Sequence, residues 1–248
     1  MEKRALILAA GRGSRMGAST ENSHKCLSIL NNKTLIDWQT QALKASGLEN
    51  IAVVKGYKHE MILGDFSTYI NENWAKTNMI ASLFCAQKVN CDTIVSYSDI
   101  VYKTSHVEKL IKSDGDIVIL SDLLWEELWS LRFENPLDDA ETFKYLNNKL
   151  LEIGSKAKNI EEIQAQFIGL IKLTPKGWDI IRHKFESYDT NRKCTVDFTS
   201  ILSDLLKDDV TINVEFINGG WCEVDNAHDL SLYKRLINEN KKWSHKWI

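Results

Sequence analysis

The chain has 248 residues, of which 31 are Lys or Arg, 34 are Asp or Glu and 44% are hydrophobic. A chain of this length can bury a full core without disulfides or a structural metal. Its net charge of -3 provides no basic field of the kind that binds a nucleic-acid backbone. The composition therefore predicts one ordinary globular domain over residues 1–248, excludes bulk polyanions as partners and is compatible with a homodimer.

The five cysteines are scattered along the chain, and no two of them form a CxxC pair. This pattern favours neither a disulfide framework nor a zinc site, and it is typical of a reducing compartment. The first apolar run begins at Arg4 and stops at Gly11, with Arg12 and Arg15 just beyond it. Such a run is too short for a signal peptide or a membrane span, so we expect a cytoplasmic protein without a membrane segment.

Strands and helices are predicted to alternate through the first half of the chain. Residues 4–10 form a continuous apolar run, typical of a strand buried on both faces of a parallel sheet. Residues 34–46 carry apolar side chains at helical spacing before Gly47, which favours a helix that ends there. Further strands are predicted at 51–54, 93–98 and 117–120, and further helices at 79–87 and 105–112. The alternation predicts an α/β fold with a Rossmann-like, mixed but mainly parallel sheet and helices on both faces.

The pattern changes in the second half, where a small mixed region is expected. Residues 142–153 predict a β-hairpin around Asn147 and Asn148, because Asn tolerates the backbone of a two-residue turn. The remaining predicted elements are strands at 166–173 and 211–217 and helices at 175–185, 197–206 and about 226–240.

A glycine-rich loop follows the first strand, with Gly11, Gly13 and Gly17 interleaved with Arg12 and Arg15. Glycines at a strand end allow close backbone approach to a ligand, and successive N–H groups there can form an anion-binding nest. The arginines suit bidentate phosphate binding. The glycine spacing differs from that of dinucleotide-binding loops, and no GK[ST] of a P-loop follows.

The run from Leu8 to Arg15 resembles the L-x-A-G-x-G-x-R signature of nucleotidyltransferases that activate sugar phosphates and small alcohol phosphates with a nucleoside triphosphate. Lys25 matches the lysine that follows in this family, although His24 stands where these enzymes usually have proline. The resemblance extends to about residue 235 and implies a GT-A-like nucleotidyltransferase fold. It implies a mainly nucleotide-binding part over about 1–120, a mainly acceptor-binding part over about 121–220, and a second metal motif with the C-terminal helix over 221–248.

Three carboxylates are the candidates for a Mg²⁺ site. Asp99 follows the predicted strand 93–98, and ligands of open α/β sheets bind at such strand ends. Glu223 and Asp225 alternate on a predicted strand, so their side chains point to one face. The resemblance implies that Asp99, Glu223 and Asp225 bind Mg²⁺, while capping of the next turn or helix is the alternative role for Asp99 and Asp225.

The resemblance also implies the residues that contact the nucleotide. Residues 76–83 resemble the stretch that meets the base and the ribose, with Asn78 and Ser82 as its polar candidates and helix capping as the alternative for Asn78. The expected catalytic residues are Lys25, Arg15, Asp99 and Asp225. The expected nucleotide-binding residues are Leu8, Ala9, Ala10, Gly11, Arg12, Gly13, Ser14, Arg15, Lys25, Asn78, Ser82 and Asp99.

Residues 125–142, 153–158 and 164–170 resemble bacterial cytidylyltransferases that activate phosphoglutamine for phosphoramidate decoration of capsules. The expected acceptor-binding residues are Trp129, Arg132, Lys156 and Gln166. Arg132 and Lys156 are expected on the acceptor phosphate, and a surface salt bridge is the alternative for either. Gln166 stands where the wider family often has glutamate, which counts against a phosphocholine enzyme. A pocket for a cationic acceptor, made of Trp125, Trp129, Glu126 and Glu127, is the alternative, and core packing is the other role open to the tryptophans.

The sequence therefore predicts a cytidylyltransferase that transfers CMP from CTP to a small phosphorylated acceptor, with phosphoglutamine favoured, Mg²⁺ as cofactor and pyrophosphate released. An acceptor phosphate oxygen would attack the α-phosphorus directly, so catalysis rests on positioning and charge neutralisation. The alternatives are a phosphocholine or phosphonate cytidylyltransferase, a hexose-1-phosphate nucleotidyltransferase, a glycosyltransferase that uses a finished nucleotide sugar, and a catalytically silent CTP sensor.

Overall fold

Buried apolar strands form the centre of the fold. In β1 (Lys3–Ala9) every side chain from Arg4 to Ala9 is buried, and because successive side chains point to opposite faces, the sheet is covered on both sides here. The computed structural model describes residues 3–239 and 242–248. The other strands are β2 (Ile29–Leu30), β3 (Lys33–Thr34), β4 (Asn50–Lys55), β5 (Ser67–Ile70), β6 (Asp92–Tyr97), β7 (Ile100–Tyr102), β8 (Ile117–Asp122), β9 (Glu141–Leu146), β10 (Lys149–Lys156), β11 (Gln166–Leu173), β12 (Asn213–Ile217) and β13 (Trp221–Glu223).

Several helices begin with strong side-chain caps. The helices are α1 (Leu35–Ala45), α2 (Met79–Leu83), α3 (Thr104–Lys112), α4 (Trp125–Arg132), α5 (Pro175–Ser187), α6 (Thr190–Thr195), α7 (Phe198–Lys207) and α8 (Ala227–Asn238). Thr34 and Asp37 form a reciprocal capping box at the start of α1, and Asn226 and Asp229 form one at the start of α8, which satisfies backbone donors that the helix leaves unpaired. Over the described residues, none of these helices has the length and apolar character needed to cross a bilayer.

Nine of the described strands form one sheet in the order β5-β4-β1-β6-β11-β8-β12-β10-β9, while β7 pairs with β13 and β2 pairs with β3. Strand β1 is parallel to β4 and β6, β4 is parallel to β5, and β8 is parallel to β12. Strand β11 is antiparallel to both of its neighbours, and β10 is antiparallel to β12 and β9. Only β10 and β11 thus run against the common direction, and the predicted mixed, mainly parallel sheet is confirmed.

Most predicted elements are present, with shifted ends. The hairpin of β9 and β10 turns at Asn147 and Asn148, whose φ angles are 50° and 58°, as a two-residue turn of this type requires. The helix predicted over 79–87 ends at Leu83 instead. Sequence analysis missed β5, α4, α6 and the pairing of β7 with β13. The predicted end of the last helix, Asn240, lies outside the described residues.

Candidate active site

A small two-stranded ribbon brings the two carboxylate motifs together. Strand β7 follows Asp99 directly, and β13 pairs antiparallel with it so that Glu223 lies opposite Ile100. The Val224 N–H also donates to the Asp99 carbonyl oxygen at 2.8 Å. The ribbon therefore fixes the chain after β6 against the chain before α8, although these segments are far apart in sequence.

Asp99, Glu223 and Asp225 each offer a carboxylate oxygen, and these oxygens lie within 4.8 Å of one another. Asp225 does not cap α8, because that position belongs to Asn226. Asp99 Oδ1 is buried and accepts no hydrogen bond from the described residues, and such orphaned acceptors call for an unseen partner. A set of carboxylate oxygens with one oxygen unpaired fits Mg²⁺, a hard cation that takes oxygen ligands.

Lys25 lies between two of these carboxylates. Its Nζ donates to Asp99 Oδ2 at 2.9 Å and to Asp225 Oδ1 at 2.8 Å, and Arg15 contacts the other carboxylate oxygen of Asp225. Burial opposes the charge on Lys25, but the attraction of Asp99 and Asp225 outweighs it and raises the pKa of the lysine. Lys25 is thus a fixed cation at the centre of the site.

Gly13 leaves the space that the Lys25 side chain occupies. Its φ is +64°, and a Cβ at this position would lie 2.7 Å from Lys25 Cβ, so any other residue would push the lysine away. On the far side, His24 caps the 3-10 turn Lys25–Leu27 by accepting from the Cys26 N–H through Nδ1 at 3.1 Å. Burial lowers the pKa of His24 to about 4, which keeps the imidazole neutral beside the lysine.

A first cavity of about 260 Å³ opens beside this loop. The expected nucleotide-binding residues at its wall are Leu8, Ala10, Gly11, Gly13, Ser14, Arg15, Lys25, Asn78, Ser82 and Asp99. Ala9 and Arg12 are not at the wall, because Ala9 is buried within β1 and Arg12 is exposed, with its guanidinium carbon 5.7 Å from the centre of the Tyr57 ring. The residues that sequence analysis missed are His24, Trp74, Thr77, Met79, Tyr97 and Ser98.

Asn78 and Ser82 hold their positions through local hydrogen bonds. The Asn78 side chain caps α2 by accepting from the Met79 N–H at 2.8 Å, and its amide donates to the Thr195 carbonyl at 3.0 Å. Ser82 Oγ accepts from the buried amide of Asn71 at 2.9 Å. The capping role that the sequence left open for Asn78 is therefore present, and the residue still faces the cavity.

A second cavity of about 220 Å³ adjoins the first and shares Arg15, Met79 and Tyr97 with it. Trp129 and Gln166, two of the expected acceptor-binding residues, are at its wall. Lys156 is exposed at the end of β10 and is not among the lining residues. The cavity also carries side chains that sequence analysis missed, including Asp139, Glu141, Phe167, Asp197 and Thr199.

The prediction that Arg132 contacts an acceptor phosphate was wrong, because the structure pairs this side chain with buried carboxylates. The Arg132 side chain is fully buried and donates to Asp229 from Nε (3.0 Å) and Nη2 (3.1 Å), while Nη1 donates to Glu223 Oε2 at 2.9 Å. Asp229 Oδ2 also accepts from the Asp225 N–H at 2.8 Å. Arg132 and Asp229 together therefore hold both Glu223 and the backbone of Asp225 from behind.

The alternative prediction, a pocket on α4 for a cationic acceptor, was also wrong. Glu126 and Glu127 are exposed on α4, and Trp125 is buried with its ring 6.1 Å from that of Trp129. The helix turns these carboxylates away from the tryptophans, since neighbouring residues lie on different faces of a helix. Trp125 packs in the core, and Trp129 is the member of this group at the cavity wall.

Three kinds of comparison find known proteins that are similar to this chain. A family model, described as a MobA-like NTP transferase domain, matches residues 5–127. The CTP:phosphoglutamine cytidylyltransferase of Campylobacter jejuni is 38% identical, and the match covers 92% of this chain and 98% of that protein. The CTP:phosphocholine cytidylyltransferase structure of Streptococcus pneumoniae has a TM-score of 0.72 at 19% identity and covers 96% of this chain and 100% of that one.

The inositol-1-phosphate CTP transferase structure of T. maritima superimposes with a TM-score of 0.74 at 16% identity and covers 95% of this chain and 96% of that one. At such identities the two solved structures speak for the fold alone. The match to the C. jejuni protein is of another kind, because at 38% identity it covers 92% of this chain and 98% of that protein. The chain belongs to the nucleotidyltransferase family that includes this phosphoglutamine cytidylyltransferase.

Proposed function

We propose that this chain transfers CMP from CTP to a small phosphorylated acceptor, with phosphoglutamine favoured, and releases pyrophosphate. One observation carries this proposal: two adjoining cavities meet at Arg15, and Asp99 lines the first while Glu223 lines the second. A triphosphate in the first cavity and an acceptor in the second would meet at the carboxylates and Lys25. The name of the C. jejuni relative supports CTP and phosphoglutamine as the pair.

In this reaction an acceptor phosphate oxygen forms a bond to the α-phosphorus of CTP while the bond from that phosphorus to the bridging oxygen of pyrophosphate breaks. The nucleophile needs no deprotonation, so the protein has to bring the two anions together and reduce their repulsion. Lys25 is held beside the carboxylates and stabilises charge at the α-phosphate. Arg15 and the N–H groups of the glycine loop bind the β- and γ-phosphates.

Asp99, Glu223 and Asp225 would hold Mg²⁺, which when bound supplies positive charge against the triphosphate. Arg132 and Asp229 act as positioning residues, because their hydrogen bonds fix the Glu223 carboxylate and the Asp225 backbone. We place the enzyme in the cytoplasm and its product in the decoration of surface polysaccharides, following the resemblance to capsule enzymes.

One experiment distinguishes phosphoglutamine from the other candidate acceptors. Choline-phosphate and 2-aminoethylphosphonate cytidylyltransferases match part of this chain, at 33% and 31% identity over 39% and 42% of it. Pyrophosphate release is measured for CTP, UTP, GTP and TTP against phosphoglutamine, phosphocholine, 2-aminoethylphosphonate and glucose 1-phosphate. We expect CTP with phosphoglutamine to give the highest rate. Release with a hexose phosphate alone would contradict the proposed acceptor class, and no release with any pair would favour a glycosyltransferase or a CTP sensor.

A further inference from the structure

The segment 242–248 packs against the two residues that precede β13. The Gly220 N–H donates to the Ser244 carbonyl oxygen at 2.8 Å. Gly219 has a φ of +67°, and a Cβ at this position would collide with that same oxygen, so glycine is what lets the segment approach this closely. The segment therefore lies directly beside the chain that enters β13, the strand of Trp221 and Glu223.

His245 anchors this segment to a buried carboxylate. Its Nε2 lies 2.7 Å from Oδ2 of Asp122, the last residue of β8, and both side chains are at most 1% exposed. Asp122 also accepts from the Trp221 Nε1–H at 2.9 Å and from the Gly219 N–H at 2.8 Å. One carboxylate thus joins the segment 242–248 to the first side chain of β13.

The hydrogen-bond partners of His245 define its protonation state. Ser244 Oγ lies 2.5 Å from Glu127 Oε2 and 2.9 Å from His245 Nδ1. Glu127 is exposed on α4 and its carboxylate only accepts, so Ser244 gives its single proton to Glu127, and Nδ1 of His245 donates to Ser244. Nε2 donates as well, because the carboxylate of Asp122 also only accepts. Both ring nitrogens therefore carry a proton, and His245 is an imidazolium ion paired with Asp122.

The charge of Asp122 is maintained in the interior by these contacts. Burial opposes this charge, but the hydrogen bonds from His245 and Gly219 outweigh burial and lower the pKa of the Asp122 carboxyl group. His106, a second histidine near Asp122, is neutral at neutral pH because burial lowers its pKa to about 4. The cation that balances Asp122 is therefore His245.

A second contact of the same segment acts on the other end of β13. The ring centre of Trp243 lies 5.4 Å from that of Tyr233 on α8, in an edge-to-face arrangement. The Tyr233 hydroxyl donates to the Glu223 carbonyl at 2.9 Å. Trp221 and Glu223 are both among the residues that line the second cavity. The segment thus supports both ends of a strand that contributes two residues to the wall of this cavity.

We propose that His245, as an imidazolium ion paired with Asp122, is a positioning residue for the acceptor, because this pair fixes Trp221 at the wall of the second cavity. The inference rests on the proposed function in that the acceptor occupies this cavity. His245 is not among the lining residues of either cavity, so it acts through Asp122 and Trp221. Trp221 does not line the first cavity, so the binding of CTP there should not depend on His245.

The test uses two variants that differ in one hydrogen-bond donor. His245→Gln keeps an N–H that can reach Asp122, whereas His245→Met has no donor. In assays of pyrophosphate release, we expect His245→Met to raise the KM for phosphoglutamine about tenfold, as misplacement of a binding wall implies. The KM of His245→Gln should lie between those of His245→Met and the wild type, because the hydrogen bond is kept without the charge. The Kd for CTP, measured by calorimetry without an acceptor, should be unchanged in both variants.

The matched control is His183→Met, because His183 is exposed on α5 and is not among the lining residues of either cavity. It should leave both the KM for phosphoglutamine and the Kd for CTP at the wild-type values. An unchanged KM in His245→Met, an equal rise in His245→Met and His245→Gln, or a parallel loss of CTP binding would overturn the proposal.

A spectroscopic measurement separates this inference from the proposed reaction, because it needs no turnover. The chain has eight tryptophans, and the indole N–H signal of Trp221 is identified in the NMR spectrum by its absence from Trp221→Phe. This signal should shift in His245→Met, shift less in His245→Gln and stay in place in His183→Met, even if no nucleotide is consumed. An unshifted Trp221 signal in His245→Met overturns the proposal. In the wild-type protein at neutral pH both ring nitrogens of His245 should carry protons, and a neutral ring would equally overturn it.

Discussion

The two cavities of this protein are assembled in different ways. Half of the residues that line the first cavity lie in one local segment, 8–25, and the rest lie in 74–82 and 97–99. The second cavity instead collects Trp129 from α4, Glu141 from β9, Gln166 from β11 and Asp197 at the start of α7. The residues of a local segment can be recognised by their spacing in the sequence. The residues of a cavity wall made from several elements are brought together only by the packing of those elements. The acceptor half can therefore change while the triphosphate half stays constant, since function lies in sites placed on a common fold.

Arg132 donates hydrogen bonds to Asp229 and Glu223, and its removal tests how much these buried pairs contribute to stability. Arg132→Met leaves Asp229 and Glu223 buried without their cation, and we expect a loss of about 3–5 kcal/mol in the free energy of unfolding. Urea denaturation measures this loss. Arg235→Met on α8 is the control, because Arg235 is exposed and should change stability by less than about 0.5 kcal/mol. Equal stability of the two variants would show that the buried pairs contribute little.

The triphosphate half is tested at Lys25. Lys25→Ala removes the cation between Asp99 and Asp225, and the rate of pyrophosphate release should fall on the order of 10²–10³. Lys44→Ala is the matched control, because Lys44 pairs with the exposed Asp65 on the surface. A Lys25→Ala protein with nearly full activity would contradict the assigned role.

The acceptor half should respond to pH where the triphosphate half does not. Burial, with the nearby Asp197, Asp139 and Glu223 carboxylates, raises the pKa of Glu141 to about 7, against the opposing hydrogen bond from Thr199. Glu141 lies at the wall of the second cavity and is neutral below this pH and anionic above it. The KM for an acceptor that carries a protonated amine, as phosphoglutamine does, should therefore fall about tenfold between pH 6 and pH 8. Glu141→Gln should remove this part of the profile, while titration of the acceptor phosphate affects both proteins alike. Parallel profiles of the two proteins would show that the charge of Glu141 does not act on the acceptor.

Two equivalent helix caps provide the smallest and most selective test. Thr34→Ala and Asn226→Ala each remove a capping box, and each should cost about 1 kcal/mol of stability. Only Asn226 adjoins Asp225, so only Asn226→Ala should also weaken Mg²⁺ binding, measured by titration of the nucleotide-free protein. Identical metal affinities in the two variants would show that the cap does not position the carboxylate.

Sequence reasoning succeeded where a pattern is local. The apolar run of β1, the hairpin at Asn147 and Asn148 and the capped helix α1 follow from residues that are adjacent or one turn apart. The glycine loop and the three carboxylates were named for the same reason. Helix α4 was missed because a buried arginine, Arg132, lies on its inner face beside Trp125, Leu128 and Trp129, so its pattern of apolar residues is weak.

The errors in the acceptor half have one physical cause. An arginine in a sequence indicates a charge that can meet a phosphate, but whether it is exposed depends on packing partners such as Asp229, which lies far along the chain. Glu141 and Asp197 gave no signal of their own, because isolated carboxylates are common on surfaces. Only the structure shows that both residues line the second cavity and that both lie near the Thr199 hydroxyl.

The buried pairing of Arg132 with Asp229 also limits how this sequence can evolve. Their side chains are 0% and 1% exposed, and loss of either one strands the other charge in the interior, while exchange of both for apolar residues can be neutral for stability. Single substitutions at these positions should therefore be rare among descendants of a common ancestor. Homologous sequences are expected to keep the arginine and the aspartate together or to lack both.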